Sequence, residues 1–231
     1  MKTDHGHPTV ARRSFLFRVS TAAAALGLGS TAAHAREQTA SSASVTPATP
    51  SAPWQPARHP QDDWFDQLPG KHRFFFDATT VNGVQESTMF ASNYYGANKS
   101  GYGLNDADLA VIVGVRHHAT PFAFTDPMWA KYGEAWGERL DFNDPKTKKR
   151  PVVNVYLSDL EGLTKHGAHF AVCDMATHAY ASMAARRISG DFEEIYKELR
   201  ANCLANCHFV PAGIVGVNRA QERGYSIAYV G

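Results

Sequence analysis

Leu109-Ala110-Val111-Ile112-Val113-Gly114-Val115 is an unbroken run of seven apolar or glycine residues. A strand that is apolar on both faces has layers above and below it, as in a parallel sheet covered by helices. Working outward, His72–Ala78 (HRFFFDA), Ala168–Cys173 (AHFAVC) and His208–Val210 read as further buried strands, and Tyr225–Val230 (YSIAYV) as a last one. Helical stretches separate them: a weak one over Gln85–Asn98, then Asp126–Leu140, Leu157–Lys165, Asp174–Ile188, Asp191–Arg200 and Ile214–Arg223. In the second of these Asp126 is expected to cap the helix with Pro127 in its first position, and Gly224 to stop the last. Strands alternating with helices predict βαβ units, and so an α/β fold: a three-layer α/β/α sandwich around a mostly parallel sheet of about five strands.

The stretch before this domain has another character. Arg12-Arg13-Ser14-Phe15-Leu16-Phe17, an Ala/Leu/Gly run from Val19 to Ala33, and Ala33-His34-Ala35 follow one another as the parts of a twin-arginine export signal with its cleavage site. Residues 1–35 are therefore expected to be removed and the mature protein to be periplasmic. Residues 36–62, rich in Ala, Ser, Thr, Pro and Gln, are expected to be a disordered linker, leaving 63–231 as one domain. Loss of Lys2, Arg12, Arg13, Arg18 and Asp4 from 23 basic and 22 acidic residues leaves 19 and 21. That balance, without a basic cluster, argues against a nucleic-acid partner. No later apolar run is long enough for a membrane span, so no membrane association of the mature form is expected.

Four segments carry a resemblance: Leu109–Phe124 (LAVIVGVRHHATPFAF), Asp126–Gly133 (DPMWAKYG), Phe170–Thr177 (FAVCDMAT) and Phe209–Tyr225 (FVPAGIVGVNRAQERGY). The pattern resembles the DsrE/DsrF-like proteins of sulfur oxidation and persulfide relay, over most of residues 72–231. The resemblance implies a small α/β domain that forms homo-oligomers and a reactive cysteine just after a core strand, where Cys173 stands. It also implies a small sulfur compound or a sulfur-carrier protein as partner. Twin-arginine export departs from the cytoplasmic setting of those relay proteins.

In parallel sheets, ligands collect beyond the carboxyl ends of the strands. Cys173 lies there, between a strand and a helix, where backbone N–H groups favour the thiolate. A thiolate can attack a sulfane donor and hold the sulfur as a persulfide; the plainer role is a small buried core residue. Arg116, His117 and His118 follow the seven-residue strand and are candidates to bind substrate, Arg116 through paired hydrogen bonds to a sulfur oxyanion. Along a strand only one of two successive histidines faces a given side, unless a turn intervenes. Asp77 ends the first strand and is either on the same rim or a turn residue. Thr177 and His178 fall four and five residues after Cys173, about one helical turn along.

Cys203 and Cys207, in C-x3-C followed by His208, miss the C-x-x-C-H spacing of haem attachment. They can form a disulfide only if residues 202–206 are a loop, because i and i+4 on a helix lie too far apart. No metal site or cofactor is assigned, and no HExxH, P-loop, GxGxxG or G-x-S-x-G occurs. Two other classes stay open. One is a non-catalytic oligomeric binding module using the rim or an apolar face with Trp129, Tyr132 and Trp136. The other is a metal or redox-cofactor protein with His117, His118, Cys173 and His178 as ligands. The residues leave open whether the chain is an enzyme.

Overall fold

Five strands, all parallel, form one sheet: β1 His72–Ala78, β2 Leu109–Val115, β3 His169–Cys173, β4 Cys207–Val210 and β5 Ser226–Val230. The structure is a computed structural model that describes residues 54–231. The expected export signal and residues 36–53 of the expected linker lie outside the described residues. Spatial order is β4-β3-β2-β1-β5, so the seven-residue run is the central strand and is buried along its whole length. Helices cover both faces, giving the α/β/α sandwich.

The two faces are unequal. Helices α2 Val81–Tyr102, α3 Asp126–Leu140, α4 Leu157–Lys165, α5 Asp174–Ile188 and α6 Phe192–Ala201 lie on one face, over Phe76, Val111, Val113, Phe170 and Val172. The short helix α1 Trp64–Gln67 and α7 Gly213–Gln221 lie on the other, over Phe75, Ala110, Ile112, Ala171 and Val210. This division follows from the handedness of βαβ crossovers. From β1 to β4 the chain steps in one direction, which keeps the connecting helices on one face. From β4 it returns across the sheet to β5 beside β1, and α7 must then cross the opposite face.

Several boundaries differ from the sequence reading, each for a local reason. Helix α2 is longer than expected, starting where the Thr80 hydroxyl accepts from Gly83 N. Its buried side carries small or polar residues (Ser87, Thr88, Ala91), which weakens the apolar period. Thr125, not Asp126, occupies the N-cap of α3; the Asp126 carboxylate instead accepts from Asn154 N at 2.8 Å. Helix α7 ends at Gln221, and Gly224 follows in the left-handed region at φ +79°. Asp62, just before α1, is buried and pairs with Arg219 at 3.3 Å, so the packed chain includes it.

Trp129, Tyr132 and Trp136 do not form an apolar oligomer face. All three are core residues, with Trp129 donating to Pro121 O and Tyr132 to the Glu198 carboxylate. Cys203 and Cys207 are joined in a disulfide, Cα atoms 6.4 Å apart, across the turn between α6 and β4 in which Asn206 takes φ +59°. At the amino ends of β3 and β4, Nδ1 of His169 and Nε2 of His208 share a hydrogen bond of 2.8 Å, and the Trp64 indole stacks on His208 at 3.9 Å. Burial pushes both imidazoles down, His208 to about 4, with His169 adding to the effect.

Candidate functional site

The ends of β3 and β4 lead into helices on opposite faces, α5 and α7. Their loops diverge, and a crevice opens at that switch of direction, as it does in other parallel α/β sheets. A groove of about 340 Å³ occupies it, and Cys173, Arg116, His117 and His118 all line it.

Cys173 ends β3 and is the N-cap of α5, with Sγ accepting from Ala176 N at 3.4 Å. The residue is 7% exposed. Thr177 is fully buried beneath it and donates its hydroxyl to the Cys173 carbonyl at 3.0 Å. Thr177 thus supports the turn and does not reach the groove.

Arg116 follows β2, and its guanidinium faces the carboxylate of Asp77 at the end of β1. Nε donates to one oxygen at 2.7 Å and Nη2 to the other at 2.8 Å. Asp77 is therefore an ion-pair partner on the rim, not a turn initiator, and it raises the Arg116 guanidinium further above its usual range. Two of the arginine's donor groups are committed to the protein, which weakens the expected role of Arg116 as a free oxyanion clamp. Helix α7 approaches so closely that a Cβ on Gly213 would lie 2.4 Å from the Arg116 Cβ. Glycine is required there by close approach and not by backbone angle.

A turn does intervene between the histidines and the strand. His117 has φ +56° and opens a 3-10 segment, His117–Ala123. The two rings consequently stack, centroids 4.0 Å apart, and both face the groove. His118 is pushed below the usual imidazole range by burial first, then by His117 and Arg139. Its Nε2 is buried with no hydrogen-bond partner among the described residues.

Arg139, in the last turn of α3, also lines the groove, and no sequence signal marked it. It stands 23 residues beyond Arg116 and reaches the site only because α3 packs beside α5. Ala176, Ala179, Tyr180 and Met183 of α5 form an apolar wall, with Ile214 of α7 across from them. Gly213 and Ile214 open α7, and nothing in the residues marks the turn of helix they begin as a wall of the site.

His178 is exposed, lies against the Tyr196 ring with centroids 4.0 Å apart and the planes tilted by 31°, and does not line the groove. The four-residue ligand set with His117, His118 and Cys173 is not assembled. Among the described residues no group of three or more His, Cys, Asp or Glu is disposed to hold a metal ion. No described helix is long and apolar enough to cross a membrane.

No family model matches the chain, and no curated protein matches it. Among solved structures, it is similar to a protein of unknown function from Methanobacterium thermoautotrophicum, at 14% identity over 69% of this chain and 99% of that one, with a TM-score of 0.38.

Proposed function

We propose that the chain is an exported, DsrE-like domain that handles sulfur compounds through Cys173. The observation that carries this reading is the position of the Cys173 sulfur, held at the N-terminus of α5 by Ala176 N and opening on a groove walled by Arg139, His117 and His118. Negative charge on that sulfur, in the thiolate or in a product persulfide, meets the positive end of a helix. His118, whose imidazole burial pushes below its usual range and which lines the same groove, is the side chain we assign to receive the thiol proton. With thiosulfate as donor, the thiolate attacks the outer sulfur and a Cys173 S–S bond forms. The donor S–S bond breaks, and its electron pair leaves with sulfite. Atoms and charge balance without a further oxidant. Delivery of the sulfur to a second thiol, small or on a carrier protein, restores Cys173.

The test is the intact mass of the purified protein before and after thiosulfate or polysulfide. A gain of one sulfur, absent in Cys173→Ser, is expected; no gain on the native protein overturns the reading. Export is checked separately. Replacing Arg12 and Arg13 with Lys is expected to leave full-length precursor in the cytoplasm, and unchanged periplasmic accumulation would exclude the twin-arginine route.

A further inference from the structure

We propose that the groove takes a low-molecular-weight organic persulfide whose sulfur end meets Cys173 and whose far end carries a carboxylate held by Arg139. The chemistry rests on the reading of Cys173 as sulfur acceptor; the ligand class comes from the lining of the groove.

Three observations converge. First, Arg116, the rim cation that follows β2, has Nε and Nη2 committed to Asp77. Arg139, by contrast, takes part in none of the ion pairs among the described residues and is exposed. Second, the wall between is uncharged. Ala176, Ala179, Tyr180 and Met183 recur at three- and four-residue steps, so they share one face of α5. From Cys173 to Met183 that face runs ten residues, about 15 Å along the axis. Arg139 and Met183 also line the adjoining cavity, which places them at the end remote from Cys173. Third, a volume of about 340 Å³ falls within the roughly 300–1,000 Å³ of organic ligand sites. A small inorganic oxyanion would leave the apolar wall wet and Arg139 unused. A sulfur group, an apolar spacer and a distal anion would cover all three parts.

The transfer is balanced. The Cys173 thiolate attacks the terminal sulfur of R–S–SH, a Cys173 S–S bond forms, and the donor S–S bond breaks. The electron pair leaves as the thiolate of R, and the proton stays on the transferred sulfur.

The probes are a six-carbon carboxylic acid with a terminal S-methyl thioether, which cannot transfer sulfur, and its primary amide. Each is titrated calorimetrically into wild type, Arg139→Ala and Arg139→Lys. Because Arg139 is exposed, neither substitution disturbs the core. The acid is expected to bind wild type about tenfold more tightly than the amide, as one charge-assisted contact implies. Arg139→Ala should abolish that ratio and Arg139→Lys retain part of it. Equal binding of acid and amide to wild type, no binding of either, or a ratio unchanged in Arg139→Ala overturns the proposal. Sulfur uptake from polysulfide by intact mass is read in parallel. If uptake occurs without acid–amide discrimination, Cys173 is a carrier and the ligand class is wrong. If discrimination occurs without uptake, the ligand class stands and the carrier reading falls.

Discussion

Arg116 and Asp77, 39 residues apart in the chain, meet through two parallel hydrogen bonds of 2.7 and 2.8 Å at the ends of adjacent strands. The pair is asymmetric: the Asp77 side chain is 5% exposed and the Arg116 side chain 24%. Removing the arginine strands a buried charge, whereas removing the carboxylate frees an arginine that can turn to water. Arg116→Ala is therefore expected to cost about 3 kcal/mol of stability, and Asp77→Asn less, about 1–2 kcal/mol. Urea denaturation of the two variants measures the order. Equal losses would mean that the pair is not desolvated.

Gly213→Ala tests the approach of α7 to the same arginine. The added methyl would lie 2.4 Å from the Arg116 Cβ and 2.5 Å from Cδ, so side chain or helix must shift. A loss of about 1–3 kcal/mol is expected, together with slower sulfur uptake at Cys173. Wild-type stability and uptake in this variant would show that α7 moves freely.

The His169–His208 pair gives stability a pH dependence. His208 titrates at about 4 in the fold, against about 6.5 for an unperturbed imidazole. Between those values the unfolded chain binds a proton that the folded chain refuses. The contribution is complete above about pH 6.5 and is lost as the pH falls toward 4. A loss of roughly 2 kcal/mol over that window is expected for a half-buried group. Melting temperatures from pH 7 to pH 4.5 measure it. His208→Gln should flatten the curve, and an unchanged slope in that variant would exclude the pair as its source.

The Cys203–Cys207 disulfide closes a loop between residues four apart in sequence. So short a loop constrains the unfolded chain little, and reduction is expected to cost only roughly 2 kcal/mol. The effect should extend to the segment that holds the site histidines. Leu204 N donates to Ala123 O, and Phe124 bridges to Cys203, at the end of the run that begins at His117. Chemical denaturation with and without reductant measures the cost; no change would make the bond dispensable.

Much of this fold is legible in the residues. Leu109–Val115 is read to its ends because a central strand has no solvent side to vary, and β1 matches over His72–Ala78 for a related reason. Helix α2 is read short because Ser87, Thr88 and Ala91 give its buried stripe little apolar contrast. The rim residues Cys173, Arg116, His117 and His118 are found by the strand-end rule, which is a rule about topology. Arg139 is not found, since only the packing of α3 on α5 brings it there. Nor is the shared facing of His117 and His118, which depends on one positive φ that histidine does not advertise. Asp77 is visible, but its engagement with Arg116 is a property of two strands side by side.

The return of the chain from β4 to β5 shapes how this protein is made. Thr79 and Tyr229 share a hydrogen bond across 150 residues of sequence, and β5 closes the side of β1 that β2 does not. Until β5 leaves the ribosome, β1 presents an open edge carrying Phe74, Phe75 and Phe76. Growing chains with such an edge join their neighbours readily. The sheet therefore completes late, and a chaperone that covers the nascent Phe74–Phe76 edge would have most of the domain's synthesis time in which to act.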